Sequence, residues 1–126
     1  MTNRRILVID DETDIQEVVQ LCLEITVGWT VMIASSGTEG LLVAEAEQPN
    51  GILLDVMMPD LDGSATFAKL QAKASTRDIP VVLLTAKLQP ADRRRFDEIG
   101  VKGIIEKPFD PVNLANQIAE LLEWEL

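Results

Sequence analysis

The chain has 126 residues, 47% of them hydrophobic and 25% charged, which is the composition of an ordinary globular domain. Its net charge of −10 predicts repulsion from nucleic acid phosphates, and the lack of histidine excludes histidine-based catalysis and histidine metal ligation by this chain. The apolar runs are too short for a membrane span, an acidic cluster lies where a secretory leader would be apolar, and Cys22 has no disulfide partner. We therefore predict a cytoplasmic protein with neither membrane nor direct nucleic acid contact.

The first elements are a strand and a helix. Residues 5–10 form a short apolar run that ends in acid, which predicts a buried strand. Asp14 and Glu17 have the spacing of a capping box, and Gly28 is expected to end the helix. The apolar residues that recur at helical spacing predict the buried face of this helix: Ile15, Val18, Val19, Cys22 and Ile25.

The same alternation of strand and helix patterns continues to the middle of the chain. Residues 30–34 predict the second strand, and Ser36 with Glu39 predicts a capping box for the second helix. Residues 52–54 predict the third strand, which ends at Asp55.

The second half repeats this pattern. Residues 79–84 and 101–105 predict the fourth and fifth strands, and Pro90 opens a polar helix between them. Asp110 followed by Pro111 predicts the start of the last helix, because aspartate caps helices and proline fits the first turn. Five strand–helix units with unbroken apolar strands predict one α/β domain over residues 1–126, with a parallel sheet covered on both faces.

Polar residues follow four of the predicted strands, at the point where each strand ends. Asp10 and Asp11 follow the first strand, Asp55 the third, Thr85 the fourth and Lys107 lies just after the fifth. If the strands lie in the order 2-1-3-4-5, these residues meet at one edge of the sheet, where ligands bind in open α/β folds. Taken singly, each has an ordinary alternative role as a helix cap, a turn residue, a strand-end hydroxyl or a surface lysine.

Taken together, these residue types indicate phosphoryl transfer. Three neighbouring carboxylates repel one another unless a cation lies among them, and oxygen ligands favour Mg²⁺. Asp55 can act as a nucleophile, as carboxylates do in enzymes that form an aspartyl phosphate. Lys107 can supply a positive charge and Thr85 a hydroxyl donor for the phosphoryl oxygens.

Four segments carry a family resemblance: ILVIDDE (6–12), LLDVMMPDLDG (53–63), VVLLTAK (81–87) and EKPFDP (106–111). In this order and spacing they resemble the receiver domains of two-component response regulators. The resemblance implies a flavodoxin-like fold, a doubly wound (βα)5 unit with a five-stranded parallel sheet in the order 2-1-3-4-5. It also implies a phosphorelay protein that takes its phosphoryl group from a phosphohistidine on a sensor histidine kinase or a histidine phosphotransfer protein.

The resemblance assigns roles to particular residues. Asp55 is the expected phosphoacceptor, and Thr85 and Lys107 are the expected phosphate partners. Asp11 and Asp55 are the expected direct Mg²⁺ ligands, with Asp10 acting mainly through water. The backbone carbonyl of Met57 completes the expected set of protein ligands.

The resemblance also bears on switching and partners. An unknown downstream protein is expected to bind the face formed by the fourth helix, fifth strand and fifth helix, and the chain is expected to be a monomer or a phosphorylation-dependent dimer. Ile104 occupies the position where many receivers have an aromatic residue coupled to the threonine, and a branched aliphatic side chain cannot swing in the same way, so we do not expect the usual coupling here. Met57 and Lys87 occupy variable positions that tune phosphate hydrolysis, and Met57 is expected to shield the site from water.

Three interpretations remain. The chain is expected to act as a stand-alone regulator, since LLEWEL ends like a helix; the other interpretation is the N-terminal receiver of a larger transcriptional or enzymatic regulator. A Mg²⁺-dependent phosphatase with an aspartyl nucleophile is a third reading of the same residues, but that family usually has a second acid where this chain has Met57. We therefore predict no enzymatic activity beyond self-catalysed phosphoryl transfer and autodephosphorylation.

Overall fold

The computed structural model of the chain describes residues 4–58, 63–86 and 90–125. Within these ranges the strands all run parallel in one sheet, in the order β2-β1-β3-β4-β5. This confirms the expected strand order. The strands are β1 (Arg5–Ile9), β2 (Thr30–Ala34), β3 (Gly51–Asp55), β4 (Val81–Thr85) and β5 (Gly103–Glu106).

Each strand is followed by a helix, so the described residues form the five predicted strand–helix units. Since parallel neighbours require crossover connections, the helices cover both faces of the sheet. None of the helices in the described ranges combines the length and the apolar composition that crossing a bilayer requires. The helices are α1 (Thr13–Val27), α2 (Gly37–Glu47), α3 (Gly63–Ala72), α4 (Pro90–Ile99) and α5 (Leu114–Leu122).

Two hydrophobic clusters lie on opposite faces of the sheet, because successive strand side chains point to opposite sides. In β1, Ile6 and Val8 belong to the cluster that packs against α1 and α5, while Leu7 and Ile9 belong to the cluster that packs against α2, α3 and α4. Both faces of the central strands are therefore dry, which explains why their sequences are continuous apolar runs rather than alternating ones.

The boundaries of β4 and β5 differ from the sequence-based prediction. Ile79 and Val101 are buried but precede the strands, which begin at Val81 and Gly103. The apolar runs in the sequence are longer than the strands because the residues just before each strand are buried without being paired in the sheet. At the other end of β4, Thr85 is the last residue of the strand instead of the first residue after it.

The predicted start of α1 is wrong. The helix begins at Thr13 with Glu12 as its N-cap, and no side chain makes a capping hydrogen bond, so Asp14 and Glu17 do not form a capping box. Instead Asp10 Oδ1 accepts a hydrogen bond from the backbone N–H of Glu12 at 2.8 Å. The residue that organises the approach to α1 is thus a candidate site residue. The C-terminal end agrees with the prediction, because Gly28 takes a left-handed conformation with φ of 69°.

The buried face of α1 is also narrower than predicted. Val19 and Leu23 are fully buried, whereas Val18 and Ile25 are exposed, with Ile25 78% accessible. The remaining predicted members of this face, Ile15 and Cys22, are only partly buried. Two adjacent stripes of α1 are apolar, and helical spacing alone does not show which of them packs against the sheet.

The other two predicted caps have different outcomes. Ser36 is the N-cap of α2 and its hydroxyl accepts a hydrogen bond from Glu39 N–H at 3.0 Å, as predicted. Asp110 does not cap α5, which begins only at Leu114. Its carboxylate instead accepts from Val112 N–H at 3.0 Å and from the Asn113 side-chain amide at 2.8 Å, and so holds a turn before the helix.

Candidate functional site

The sheet order brings the predicted polar residues to one edge. Ile9 and Leu54 are paired across β1 and β3, so Asp10 and Asp55, the next residue of each chain segment, lie side by side. Asp55 is in turn paired with Leu84 of β4, and Thr85 is paired with Glu106 of β5. Asp10, Asp55, Thr85 and Lys107 therefore lie at the carboxyl ends of four adjacent strands, as the sequence predicted.

Three carboxylates form an acidic cluster at this edge. One oxygen from each of Asp10, Asp11 and Asp55 can be chosen so that all lie within 4.8 Å of one another. Asp10 is 0% and Asp55 2% accessible, while Asp11 is exposed to solvent. The Oδ2 atoms of both Asp10 and Asp55 are buried; within the described residues Asp55 Oδ2 has no hydrogen-bond partner, and Asp10 Oδ2 contacts only the ammonium of Lys107 as an ion pair at 3.2 Å. Buried carboxylate oxygens without partners are costly, so this arrangement favours a bound cation.

Among the described residues, Lys107 is the positively charged residue in contact with this acidic cluster. Its Nζ lies 3.2 Å from Asp10 Oδ2 and 3.5 Å from Asp55 Oδ1. The residue follows β5, and its backbone N–H donates to the carbonyl oxygen of Thr85 at 2.6 Å. This backbone bond continues the β4–β5 pairing and fixes the direction from which the lysine reaches the carboxylates.

Burial and charge perturb the ionisation of the cluster. Burial, reinforced by the charge of Asp10, raises the pKa of Asp55 from 3.8 to about 6, even though Lys107 opposes the shift. Burial likewise raises the pKa of Asp10, with Lys107 and the Glu12 N–H acting against it. Burial alone would lower the pKa of Lys107, but the charges of Asp10 and Asp55 outweigh it and the pKa rises. The site therefore holds more negative charge than the lysine can balance.

The loop after β3 is fixed around Asp55. The backbone N–H of Met57 donates to Asp55 Oδ1 at 3.2 Å, while the Met57 side chain is 71% accessible. At the start of α3, Gly63 approaches this loop so closely that a Cβ atom would lie 2.7 Å from Val56 Cα. Only glycine fits there, which lets α3 begin directly beside the site. Lys87, the other predicted variable position, lies outside the described residues.

One residue at the site was missed by the sequence analysis. Glu12 Oε1 lies 3.5 Å from Lys107 Nζ, so the lysine contacts three carboxylates rather than two. Glu12 is the third acid of the DDE run at residues 10–12, and that run was the available signal. The sequence could not show whether the Glu12 side chain turns toward the lysine or toward solvent, because this depends on how β5 and the start of α1 pack.

The donor set fits a hard divalent cation. All three carboxylates supply oxygen, which Mg²⁺ prefers, and Asp55 Oδ2, which is buried and has no hydrogen-bond partner among the described residues, is available for ligation. The protein is therefore of the doubly wound α/β class, with an acidic cluster and a lysine at the carboxyl edge of its parallel sheet, where such folds bind ligands.

Comparison with known proteins identifies the family within that class. A model of the family described as "Response regulator receiver domain" matches residues 6–119, and the chain therefore belongs to this family. The chain is 38% identical over 122 residues to a protein of Cyanophora paradoxa named "Probable transcriptional regulator ycf27", covering 97% of this chain and 49% of that protein. The chain thus spans about half the length of the curated relatives it matches.

Solved structures agree with this assignment. The chemotaxis response regulator CheY4 of Vibrio cholerae has a TM-score of 0.88 and 26% identity, over 95% of this chain and 99% of that one. The receiver domain of the sensor histidine kinase PA1611 of Pseudomonas aeruginosa has a TM-score of 0.84 and 25% identity, over 97% and 99%. That structure is described as having a magnesium ion coordinated in its active site cleft.

These findings confirm the predicted family, the flavodoxin-like fold and the assignment to two-component signalling. They give no support to the prediction that the chain avoids nucleic acid, because curated relatives are named transcriptional regulators. Ile104 lies on β5, is half-buried and packs against the cluster on the α2, α3 and α4 face. That Ile104 removes the usual coupling between the threonine and an aromatic residue remains a prediction.

Proposed function

We propose that Asp55 accepts a phosphoryl group from a phosphohistidine of a donor protein, and that this modification switches the binding of a second protein. The observation that carries the proposal is the meeting of Asp10, Asp11 and Asp55 within 4.8 Å, with the Lys107 ammonium 3.5 Å from Asp55. Phosphoryl transfer depends mainly on positioning and charge neutralisation, and this edge of the sheet offers both.

In the proposed transfer, a carboxylate oxygen of Asp55 attacks phosphorus, an O–P bond forms, and the P–N bond to the donor histidine breaks. The leaving imidazole keeps the electron pair of that bond and takes a proton from solvent. Lys107 is close enough to balance charge on the transferred oxygens, and Thr85 at the end of β4 supplies a hydroxyl donor. Water later attacks the phosphorus, which releases inorganic phosphate and restores the carboxylate.

The same residues are the proposed magnesium ligands. Asp11 and Asp55 would hold the ion directly, Asp10 mainly through water, and the backbone carbonyl of Met57 would complete the protein ligands. Bound Mg²⁺ supplies positive charge that neutralises the carboxylates and the phosphoryl oxygens. The proposed activity goes no further than transfer to Asp55 and loss of the phosphoryl group, whether the chain acts alone or as one domain of a longer regulator.

The experiment that tests this function uses acetyl phosphate as a small donor, whose O–P bond to acetate breaks in the transfer. Purified chain is incubated with acetyl phosphate and Mg²⁺, and peptide mapping by mass spectrometry locates the modification. We expect one phosphoryl group on Asp55, none in the presence of a chelator and none in Asp55→Asn. Absence of modification in the wild type, or equal modification of Asp55→Asn, would contradict the proposal.

An apolar stripe on α1 supports a docking surface for the donor protein. Val18, Leu21 and Ile25 are exposed, and their spacing places them on one side of the helix. The helix begins at Thr13, directly after the acidic residues, so the stripe extends away from the site itself. Exposed apolar patches beside a reactive site are typical of protein interfaces.

We expect Leu21→Glu to slow transfer from a protein donor by about tenfold, because a charge in the centre of an apolar contact is desolvated without a partner. The measurement is phosphotransfer from the individually purified, autophosphorylated sensor kinases of the source organism. Modification by acetyl phosphate should be unchanged. The matched control is Leu42→Glu, since Leu42 is similarly exposed but lies on α2. Equal losses in the two variants, or none in Leu21→Glu, would argue against docking on α1.

The downstream partner is proposed to bind the face formed by α4, β5 and α5. A shallow depression of about 210 Å³ on this face is lined by residues of β5 and α5, including Ile104, Gln117 and Leu121. Phosphorylation of Asp55 at the end of β3, beside the ends of β4 and β5, can favour one of two conformations of this face, provided that the partner binds one of them more tightly.

A further inference from the structure

Lys107 contacts two buried carboxylates and one that is exposed to solvent. Asp10 and Asp55 are buried and lie 3.2 Å and 3.5 Å from its ammonium, whereas Glu12, also at 3.5 Å, is 59% accessible. The Lys107 side chain is only 16% accessible. The lysine therefore bridges the buried cluster and an acid at the solvent-facing rim of the site.

The position of Glu12 is fixed by its own backbone. Its N–H donates to Asp10 Oδ1 at 2.8 Å, and its carbonyl oxygen accepts the N–H of Gln16, which starts the hydrogen bonding of α1. The Glu12 side chain therefore extends from a backbone unit whose N–H is bonded to the acidic cluster and whose carbonyl oxygen is bonded to α1. Such anchoring fixes the backbone from which the carboxylate reaches the lysine, so that only the side-chain torsions of Glu12 remain to be ordered by the contact.

We propose that Glu12 is a positioning residue that holds the Lys107 ammonium at the rim of the unphosphorylated site and opposes the capture of an anionic phosphodonor. This inference rests on the proposed function of Asp55. The contact with Glu12 must loosen when the ammonium turns to the phosphoryl oxygens, so Glu12 competes with the phosphoryl group for Lys107. Its exposed carboxylate also adds negative charge where the anionic donor approaches.

The same arrangement predicts an opposite effect on Mg²⁺. Removing the charge of Glu12 leaves one negative charge fewer near the cation, and it frees Lys107 to sit deeper between Asp10 and Asp55. Both changes disfavour a divalent cation at the acidic cluster. Loss of Glu12 should therefore speed modification by a small donor at saturating Mg²⁺ while weakening the binding of Mg²⁺ itself.

The test compares Glu12→Gln with Glu17→Gln, which removes the same charge from an exposed position on α1. The rate constant for modification by acetyl phosphate is measured at saturating Mg²⁺, and the Kd for Mg²⁺ is measured separately by calorimetry without phosphodonor. For Glu12→Gln we expect a rate about threefold to fivefold higher and a Kd about twofold to threefold higher than in the wild type. Glu17→Gln should change neither quantity by more than about 1.5-fold.

The opposite directions of the two changes separate positioning from damage, since a loosened fold would weaken Mg²⁺ binding and slow modification together. Equal rates and equal Mg²⁺ affinities in Glu12→Gln and the wild type would overturn the proposal, and so would the same changes in Glu17→Gln. If the wild type takes up no phosphoryl group, the proposed function fails. The Mg²⁺ affinities still decide the role of Glu12, because weaker binding in Glu12→Gln alone supports it and unchanged binding overturns it.

Discussion

Lys107→Met is expected to lower the free energy of unfolding by about 3 kcal/mol at about pH 8 without divalent cations. The substitution keeps an apolar side chain of similar length but removes the ammonium that lies 3.2 Å from Asp10 and 3.5 Å from Asp55. Two buried carboxylates then remain without a counter-charge, which is the costly way to break a buried ion pair. Urea unfolding followed by circular dichroism measures the change.

The matched control is Lys69→Met, on the exposed face of α3, which should change stability by no more than about 0.5 kcal/mol. Saturating Mg²⁺ should remove most of the difference in the free energy of unfolding between Lys107→Met and the wild type, because the cation replaces the missing positive charge. The variant should also bind Mg²⁺ more tightly than the wild type does, since the ammonium no longer competes. A Lys107→Met variant as stable as the wild type in the presence of chelator would show that the pair contributes little.

Asp55→Asn is expected to stabilise the cation-free protein at neutral pH, although it destroys the proposed phosphoacceptor. Burial, with the charge of Asp10, raises the pKa of Asp55 to about 6 from an ordinary value of 3.8. A shift of about two units corresponds to about 3 kcal/mol that the folded state loses when this carboxyl ionises. The neutral amide avoids this cost, so the variant should be more stable than the wild type by an amount of that order.

The difference should depend on pH in a defined direction. Between pH values of about 4 and 6, the folded state binds the Asp55 proton more tightly than the unfolded state does. The stability that protonated Asp55 contributes is fully present below about pH 4 and is lost as the pH rises through about 6. The difference in the free energy of unfolding between Asp55→Asn and the wild type should therefore be small at about pH 4 and reach its full size at about pH 7.

Urea unfolding of both proteins in chelator across this range measures the gap, and the comparison cancels the general charge repulsion of an acidic chain. The control is Asp78→Asn, which makes the same substitution at an exposed position away from the site. A constant difference between Asp55→Asn and the wild type at all pH values would show that Asp55 is not protonated more readily in the fold.

Most of the site could be predicted because its residues lie at the ends of apolar runs. Asp10, Asp55 and Thr85 close buried strands, and the parallel order of those strands brings their carboxyl ends to one edge. The helix starts predicted at Asp14 and Asp110 are wrong, because a local pattern of polar residues does not determine which hydrogen bonds they make. Short polar side chains can serve several local purposes, and the sequence does not show which backbone N–H group lies within reach.

The sequence by itself determined the five strand–helix units, the family and the chemical types of residue that follow the strands, because these depend on local periodicity and composition. Only the tertiary structure decided which of these groups lose water and which side chains touch. It buries Asp10 and Asp55 but leaves Asp11 exposed, and it brings Glu12 to Lys107 across elements far apart in the chain. Desolvation and contacts of 3 to 4 Å depend on the packing of several elements at once, which no local pattern encodes.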